Sequence, residues 1–453
     1  MFSKLLFVIG LSAALIFPVN KPSVPELSIS ANQRYFMADG KPFFWLGDTG
    51  WLLLTKLNRE ESEKYLETRR QQGFNVIQVM VVHGTGDTNA YGDSALTAKN
   101  LAQPKISDNP NDYWNHLEWV INRAAEKGLY IALVPVWGSV VKSAHINQQQ
   151  AKIYTTFLAK RYSQYPNIVW MNGGDIAGTD SMKVWNTIGN TLHDLDPKHL
   201  ITYHPRGRTQ SSTWFHDQSW LSFNCFQSGH RTYAQDTSKN DLHYGEDNWR
   251  YVQVDYNKKP IKPTLDAEPS YERIPYGLHD LKLPRWTDAD VRRYAYWSVF
   301  AGACGFTYGN NDVMQMHKPT DKGSAYGSKG FWYNSINDPG ALQMKYLKDL
   351  MLSRPYMERV PAASLIVGDA GLKYDHIVAT RGDKYAFVYT YNGREFALNT
   401  SVLPGDKVKA SWFNPRNGNV TVAGTMNKSK MMKFDPPGEK KDGNDWVLIL
   451  DAI

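Results

Sequence analysis

The sequence predicts a (β/α)8 barrel of the TIM type, over residues 27–358, followed by a small antiparallel β-sandwich over residues 361–453. Three observations carry this reading. Eight short apolar runs alternate with amphipathic segments through most of the chain, which is the pattern of a closed parallel sheet with crossover helices. Beyond residue 361 the alternation stops, and short strands follow one another between Gly, Asp, Asn and Pro turns. At 453 residues the chain is also longer than one hydrophobic core usually fills. A doubly wound open sheet is the competing architecture, and no internal repeat suggests a solenoid or propeller.

In order along the chain, Met-Phe-Ser-Lys and an apolar stretch over 5–17 read as the charged and hydrophobic regions of a signal peptide covering residues 1–22. The stretch is too short to span a bilayer, so the expectation is a periplasmic or secreted protein without a stable membrane anchor. An uncleaved anchor or a buried helix is the alternative. Residues 27–44 read as a hairpin that turns at Ala38-Asp39-Gly40 and covers the barrel floor.

The eight strands fall at 43–46, 75–82, 130–137, 168–171, 200–203, 220–225, 261–265 and 305–308. Between them, Trp114, Leu117, Val120, Ile121 and Ala124 recur at helical spacing, and Lys127-Gly128 ends that helix; Gln72-Gly73-Phe74 repeats the device. Further helices are expected over 151–162, 182–195, 241–256, 288–300 and 341–352. In the second domain, strands are expected at 364–367, 376–380, 385–391, 408–413, 420–423 and 446–450.

Composition narrows the function. Fifteen Trp and 26 Tyr exceed the needs of a core, and such rings stack on the apolar faces of sugars, although many must also pack between strands and helices. The net charge of +7 is scattered without a basic run, which argues against nucleic acid and for an ordinary basic surface. Only Cys225 and Cys304 are present. They fall on strands six and eight, beyond disulfide reach, and are expected as buried free thiols.

In a barrel of this kind the active site lies at the carboxyl ends of the strands. The residues placed there include Asp48 and Trp51, His83, Trp137, Asn172 with Gly173-Gly174-Asp175, His204-Pro205-Arg206, the segment 224–230, Asp266-Ala267-Glu268, and Tyr308. Asp175 and Glu268 stand on opposite lips of the mouth, as cleavage of a glycosidic bond by two carboxyl groups requires. Glu268 shares strand parity with Asp266 and Thr264, so all three are expected on one side; the competing role for Glu268 is a tie to a loop or to Arg206. Asp48 either binds a sugar hydroxyl or caps the following helix. His83 and His204 either contact substrate or orient a carboxylate, or else pack as bridging histidines. Trp51 and Trp137 are stacking platforms or barrel plugs. Asn172, Arg206 and Tyr308 complete the expected substrate-binding set. The long loops 84–111 and 310–338, the second carrying Tyr326, Phe331, Trp332 and Tyr333, are expected to wall the cleft. Metal-ligand spacings, a Gly-x-Ser-x-Gly elbow and a Gly-Lys-Ser/Thr phosphate loop are absent from the sequence, so neither metal nor cofactor is expected.

The stretches Asp39-Gly40-Lys41-Pro42-Phe43-Phe44-Trp45-Leu46-Gly47-Asp48-Thr49, Gly73-Phe74-Asn75-Val76-Ile77-Gln78 and Trp170-Met171-Asn172-Gly173-Gly174-Asp175 resemble the apiosidase-like glycoside hydrolases, glycoside hydrolase family 140. The resemblance covers nearly the whole chain after the leader, including a C-terminal domain that is named in that family for collagen binding. It implies a bacterial barrel enzyme that releases apiose-linked side chains of the pectic polysaccharide rhamnogalacturonan II, with Asp175 as catalytic acid and Glu268, in Asp266-Ala267-Glu268-Pro269, as nucleophile. Across barrel glycosidases more widely the strand-four acid is a Glu directly after an Asn. Here two glycines and a shorter Asp follow Asn172, and the glycines let the chain turn Asp175 inward. Retention of configuration is the expected outcome, although the shorter side chain leaves room for inversion. A reading from another class is a non-catalytic surface protein that binds polysaccharide or collagen through the sandwich.

Overall fold

The computed structural model describes residues 24–237 and 243–453. The expected leader, 1–22, lies outside the described residues, as do residues 241–242 of the helix expected over 241–256.

A barrel sheet forms the first domain. Its strands are Trp45–Thr49, Val76–Met80, Tyr130–Val134, Ile168–Ile176, Ile201–Pro205, Asn224–Gln227, Thr264–Asp266 and Gly305–Tyr308. Neighbours in this series pair in parallel except the fifth and sixth, and the eighth strand pairs with the first, aligning Tyr308 with Asp48. The fifth and sixth strands form the seam. There Ser222 N donates to Ile201 O at 2.8 Å, Thr202 Oγ1 to Phe223 O at 2.7 Å, and Cys225 Sγ to Tyr203 O at 3.0 Å. These bonds close the ring that the alternating pattern predicts. Cys225 and Cys304 are both buried and free, as expected from their separation.

The N-terminal segment forms three short antiparallel strands, Leu27–Ile29, Phe36–Ala38 and Lys41–Phe43. Phe36 packs on Trp45 and Phe223, and Phe43 on Tyr130. Trp45 and Tyr130 open their strands and Phe223 immediately precedes one, so this small sheet seals the end of the barrel opposite the site.

Helices Arg59–Gln71, Tyr113–Glu126, Gln148–Tyr162, Met182–Leu195, Asn248–Asn257, Asp288–Phe300 and Pro339–Leu352 form the outer layer. The apolar stripe expected on Tyr113–Glu126 is buried as its spacing requires. One crossover departs from the pattern: after the fifth strand the chain makes only the single turn Ser212–Phe215.

In the second domain a six-stranded antiparallel sheet, ordered Val360–Pro361, Ile377–Arg381, Tyr385–Thr390, Trp446–Ala452, Lys407–Phe413 and Val420–Asn427, faces a smaller sheet of Ile366–Val367, Phe396–Leu398 and Met432–Phe434. Alternation along Tyr385–Thr390 sets its two faces. Ala386 and Val388 enter the sandwich core. Phe387 and Tyr389 instead pack on the barrel helix Asp288–Phe300, with Tyr389 stacked on Tyr296 at 4.8 Å and Phe387 beside Phe300 at 6.1 Å. That helix is therefore covered on all sides: every residue from Asp290 to Phe300 is buried. Within the interface Asp445 accepts from Arg292 at 2.8 and 3.0 Å, a bidentate pair away from water.

Candidate active site

At the carboxyl ends of the strands lies a cavity of about 670 Å³ whose walls include Trp51, Trp137, Asp175, Arg206, Glu268, Tyr271 and Tyr326. The position is the one the barrel architecture reserves for chemistry.

Asp175 reaches this cavity through an irregularity in the fourth strand. Pairing with the fifth strand is regular as far as Gly173–His204 and resumes only at Ile176–Pro205, so Gly174 and Asp175 bulge from the ladder. Both glycines are obligatory. Gly173 has φ +88°, and a Cβ there would meet His204 O at 2.6 Å; Gly174 has φ +113°, and a Cβ would lie 2.5 Å from the Trp137 ring. Asp175 itself sits at φ +47°, a strained conformation for a residue with a side chain. Its backbone N–H donates to His204 Nδ1 at 3.3 Å, and its Oδ1 accepts from Gly207 N at 3.3 Å. The side chain is exposed to the cleft, whose walls crowd its carboxyl from several sides. Burial first, and then the charge of Glu268, push Asp175 up to about 6.

Glu268 enters by a bend in the chain. Thr264 and Asp266 do share one side of the seventh strand, but that side faces the helix layer: Thr264 Oγ1 donates to Asp255 Oδ2 at 2.7 Å, while Asp266 Oδ2 accepts from Ser228 Oγ at 2.6 Å and from Asn248 Nδ2 at 3.0 Å. The strand ends at Asp266. Past it the chain turns, and Glu268 points into the mouth, so strand parity does not extend to it. Gln78 supports the turn from across the barrel, donating to Ala267 O at 2.9 Å.

Two imidazoles face the Glu268 carboxylate. His230 Nε2 lies 3.1 Å from Oε1 as a hydrogen bond, and His204 Nε2 lies 3.1 Å from Oε2, off the hydrogen-bond line. Burial alone would raise the pKa of Glu268, but His204 and His230 outweigh it and hold the carboxyl at about 2. Glu268 is thus a buried carboxylate that stays ionised, opposite an aspartate that keeps its proton up to about pH 6.

The other residues expected at the mouth divide into two groups. Trp51, His83, Trp137 and Arg206 line the cavity. The Trp51 and Trp137 ring centroids are 5.4 Å apart, Trp51 meets the edge of His204 at 5.4 Å, and Trp51 Nε1 donates to Tyr271 OH at 3.0 Å. His83 is half exposed with Asp87 Oδ2 at 3.9 Å, so it orients no carboxylate at the centre. Arg206 reaches the cleft from an exposed position, and Glu268 is held by imidazoles instead of by this arginine.

Asp48, Asn172 and Tyr308 do not line the cavity. All three sit one residue out of phase with the barrel interior and point to the helix layer. Asp48 Oδ2 pairs with Arg69 Nε at 2.7 Å and accepts from Tyr65 OH, both on Arg59–Gln71, so it neither caps a helix nor faces the cleft. Asn172 Nδ2 donates to Trp185 O at 2.8 Å. Tyr308 OH donates to Glu272. The Asp48–Arg69 pair is fully buried, and removal of one partner would leave a charge uncompensated at a cost of about 3–5 kcal/mol.

Loop 84–111 also departs from expectation. Ala95, Leu96 and Leu101 sink into the core, and Trp114 Nε1 donates to Ala95 O at 3.0 Å, so the loop covers the barrel side and no residue of it lines the cavity. From 310–338, Met314, Gln315, Ala325 and Tyr326 reach the cavity, whereas Trp332 is buried beside Tyr65. Sequence reasoning did not single out His230 or Tyr271. His230 lies within the segment placed after strand six, and Tyr271 three residues past Glu268, but neither carries a spacing signal. Among the described residues no group of three metal-ligating side chains is disposed to hold a metal ion.

No curated protein matches the chain. Of solved structures, one titled "Glycoside hydrolase" is 46% identical over 94% of this chain and 97% of its own, with a TM-score of 0.91. A second, a glycoside hydrolase family 5 structure from Bacteroides vulgatus ATCC 8482, is 44% identical over 94% and 93%, with a TM-score of 0.90. An endo-β-1,4-mannanase from Thermotoga petrophila, 14% identical over 91% and 92% with a TM-score of 0.51, shares the fold. Residues 360–451 match a family model described as "Putative collagen-binding domain of a collagenase". Residues 30–358 match the model described as "Apiosidase-like, catalytic domain", and with that match over most of its length the chain belongs to the apiosidase-like glycoside hydrolases and is a glycosidase.

Proposed function

We propose that the enzyme cleaves a glycosidic bond in plant cell-wall polysaccharide, a pectic one bearing apiose as in rhamnogalacturonan II, with Glu268 as nucleophile and Asp175 as general acid and then base. The observation that carries the reading is two carboxyl groups on one cavity in unlike surroundings, Glu268 against two imidazoles and Asp175 on the bulge of the fourth strand. Glu268, held near 2, is available to attack, and Asp175, lifted to about 6, holds a proton for the leaving oxygen. Trp51 and Trp137 supply ring faces beside the pair, and the family name supplies the sugar. Export by the leader over residues 1–22 accords with a substrate outside the cell.

The test is a screen of the purified enzyme on rhamnogalacturonan II, other pectins and unrelated plant glycans, with released sugars identified by mass and the anomer of the first product followed by NMR. Apiose released from rhamnogalacturonan II with retained configuration is the expected result. Glu268→Gln and Asp175→Asn should each abolish release in folded protein. Full turnover by Glu268→Gln would refute the assignment, and release of a different sugar would refute the substrate alone.

A further inference from the structure

The second domain touches the loop that carries His230. Strand six ends at Gln227, and the chain passes through His230 and Tyr233 before the helix Asn248–Asn257. Residues 373–376 reach this loop and the helix that follows it. Lys373 Nζ stands 5.3 Å over the Tyr233 ring. Tyr374 OH donates to Glu246 Oε2 at 3.0 Å, and its ring lies 5.5 Å from that of Tyr233. His376 stacks on Trp249 at 4.2 Å.

Glu246 is the hub of these contacts. Its carboxylate is buried, takes Arg293 Nη1 at 2.7 Å, and accepts from the backbone N–H of Tyr233 at 2.7 Å through Oε1. The Arg293 guanidinium in turn lies 4.6 Å over the Tyr374 ring. One carboxylate thus clamps the loop backbone three residues from His230, and its remaining acceptor capacity is taken up by the barrel helix and by the second domain. On the other side, His230 O accepts from Gly277 N at 2.7 Å and from Trp286 Nε1 at 3.3 Å. His230 Nε2 then meets Glu268 Oε1.

We propose that Tyr374, acting through Glu246, is a positioning residue: the C-terminal domain is a structural part of the catalytic site that fixes the His230 loop against Glu268. The proposal rests on the reading of Glu268 as a catalytic carboxylate, but its geometry can be tested without substrate. The Tyr374 hydroxyl lies 3.0 Å from Oε2 and 3.3 Å from Oε1 of a buried carboxylate that Arg293 already fixes, so it adds a second anchor from the C-terminal domain. Loss of the Tyr374 hydroxyl leaves one Glu246 oxygen short of a donor and frees the loop on that side. The domain docks through a large apolar face and through Arg292–Asp445 as well, so it stays in place when the hydroxyl is removed.

The experiment uses full-length protein labelled with 15N-histidine, with the His230 ring signal assigned by its loss in His230→Gln, and hydrogen exchange followed by mass spectrometry over residues 229–236. In Tyr374→Phe the His230 signal should broaden or shift and exchange over 229–236 should rise about tenfold, while exchange in the remaining barrel and the Tm stay near those of the parent; in Glu246→Gln the same local changes should appear together with a lower Tm, because Arg293 loses its buried partner. An unchanged His230 signal and unchanged local exchange in both variants would overturn the proposal. So would a uniform rise across the barrel with no local excess, which assigns the contact to general stability. Failure of the catalytic assignment of Glu268 appears separately, as turnover by Glu268→Gln.

Discussion

The backbone amide of Asp175 donates to Nδ1 of His204 at 3.3 Å, and this bond decides which face of the imidazole meets Glu268. A ring nitrogen that accepts from an amide carries no hydrogen when the imidazole is neutral, so the hydrogen lies on Nε2, 3.1 Å from Glu268 Oε2. The strained backbone at φ +47° that turns one carboxyl into the cleft therefore also sets the tautomer of the histidine facing the other. The two acids are coupled through a main-chain group as well as through their charges.

The pH profile follows from this coupling. Glu268 is ionised above about 2 and Asp175 is protonated below about 6, so kcat/KM should be bell-shaped between those values. His204 lowers both carboxyl pKa values. Its replacement in His204→Gln therefore moves both limbs to higher pH, the acid limb further because Glu268 loses a direct contact. The profile on the cleaved glycan, compared for parent and variant, checks this; an acid limb that stays or moves down contradicts it.

The barrel and its mouth were legible because period and punctuation repeat eight times. Helices Met182–Leu195 and Asp288–Phe300 and strand Gly305–Tyr308 match their expected bounds. Strand ends were less legible. The rule that residues after an apolar run face the cleft ignores the alternation of a strand, which is why Asp48, Asn172 and Tyr308 point to the helix layer. The strand-end rule places Glu268 at the mouth, yet it reaches the cleft only because the chain bends after the strand, out of the parity expected with Asp266. His230 and Tyr271 come from irregular loops, whose course depends on tertiary contacts that leave no period in the sequence. The strands Phe396–Leu398 and Met432–Phe434, of three residues each, are too short to show alternation.

Gly174 tests how tightly the site is built. A Cβ at this position would stand 2.5 Å from the Trp137 ring, and φ is +113°. Gly174→Ala must displace Trp137 or flatten the bulge, and either change moves Asp175 from its place opposite Glu268. A misplacement of about 1 Å costs about 10²-fold in rate, so kcat/KM should fall by that order or more. The core is untouched, and circular dichroism should be that of the parent. Parent-like kcat/KM in Gly174→Ala would show that the bulge does not position Asp175.

Glu272 offers a test that needs no substrate. It lies buried between the eighth strand and the helix Pro339–Leu352, where Tyr308 OH donates to Oε2 and Gly340 N donates to Oε1 at 3.3 Å. No cation is paired with it among the described residues. Burial is the dominant effect and pushes its pKa from the ordinary 4.5 up to about 7. The folded state therefore binds this proton more tightly than the unfolded chain does. The contribution to stability is full below about 4.5, falls as the pH rises towards 7, and is lost above it. Glu272→Gln cannot ionise and lacks this term. Between pH 4.5 and 8 the parent should lose up to about 3 kcal/mol more than the variant, since each pH unit of pKa difference is worth about 1.4 kcal/mol. Contributions from Asp175 and Asp266, both lifted to about 6, are common to the two proteins and cancel in the difference. Urea midpoints for parent and Glu272→Gln at pH 5 and pH 8 measure the effect. Equal shifts in the two proteins would mean that Glu272 is already ionised in the folded state at neutral pH, with a counter-charge in contact.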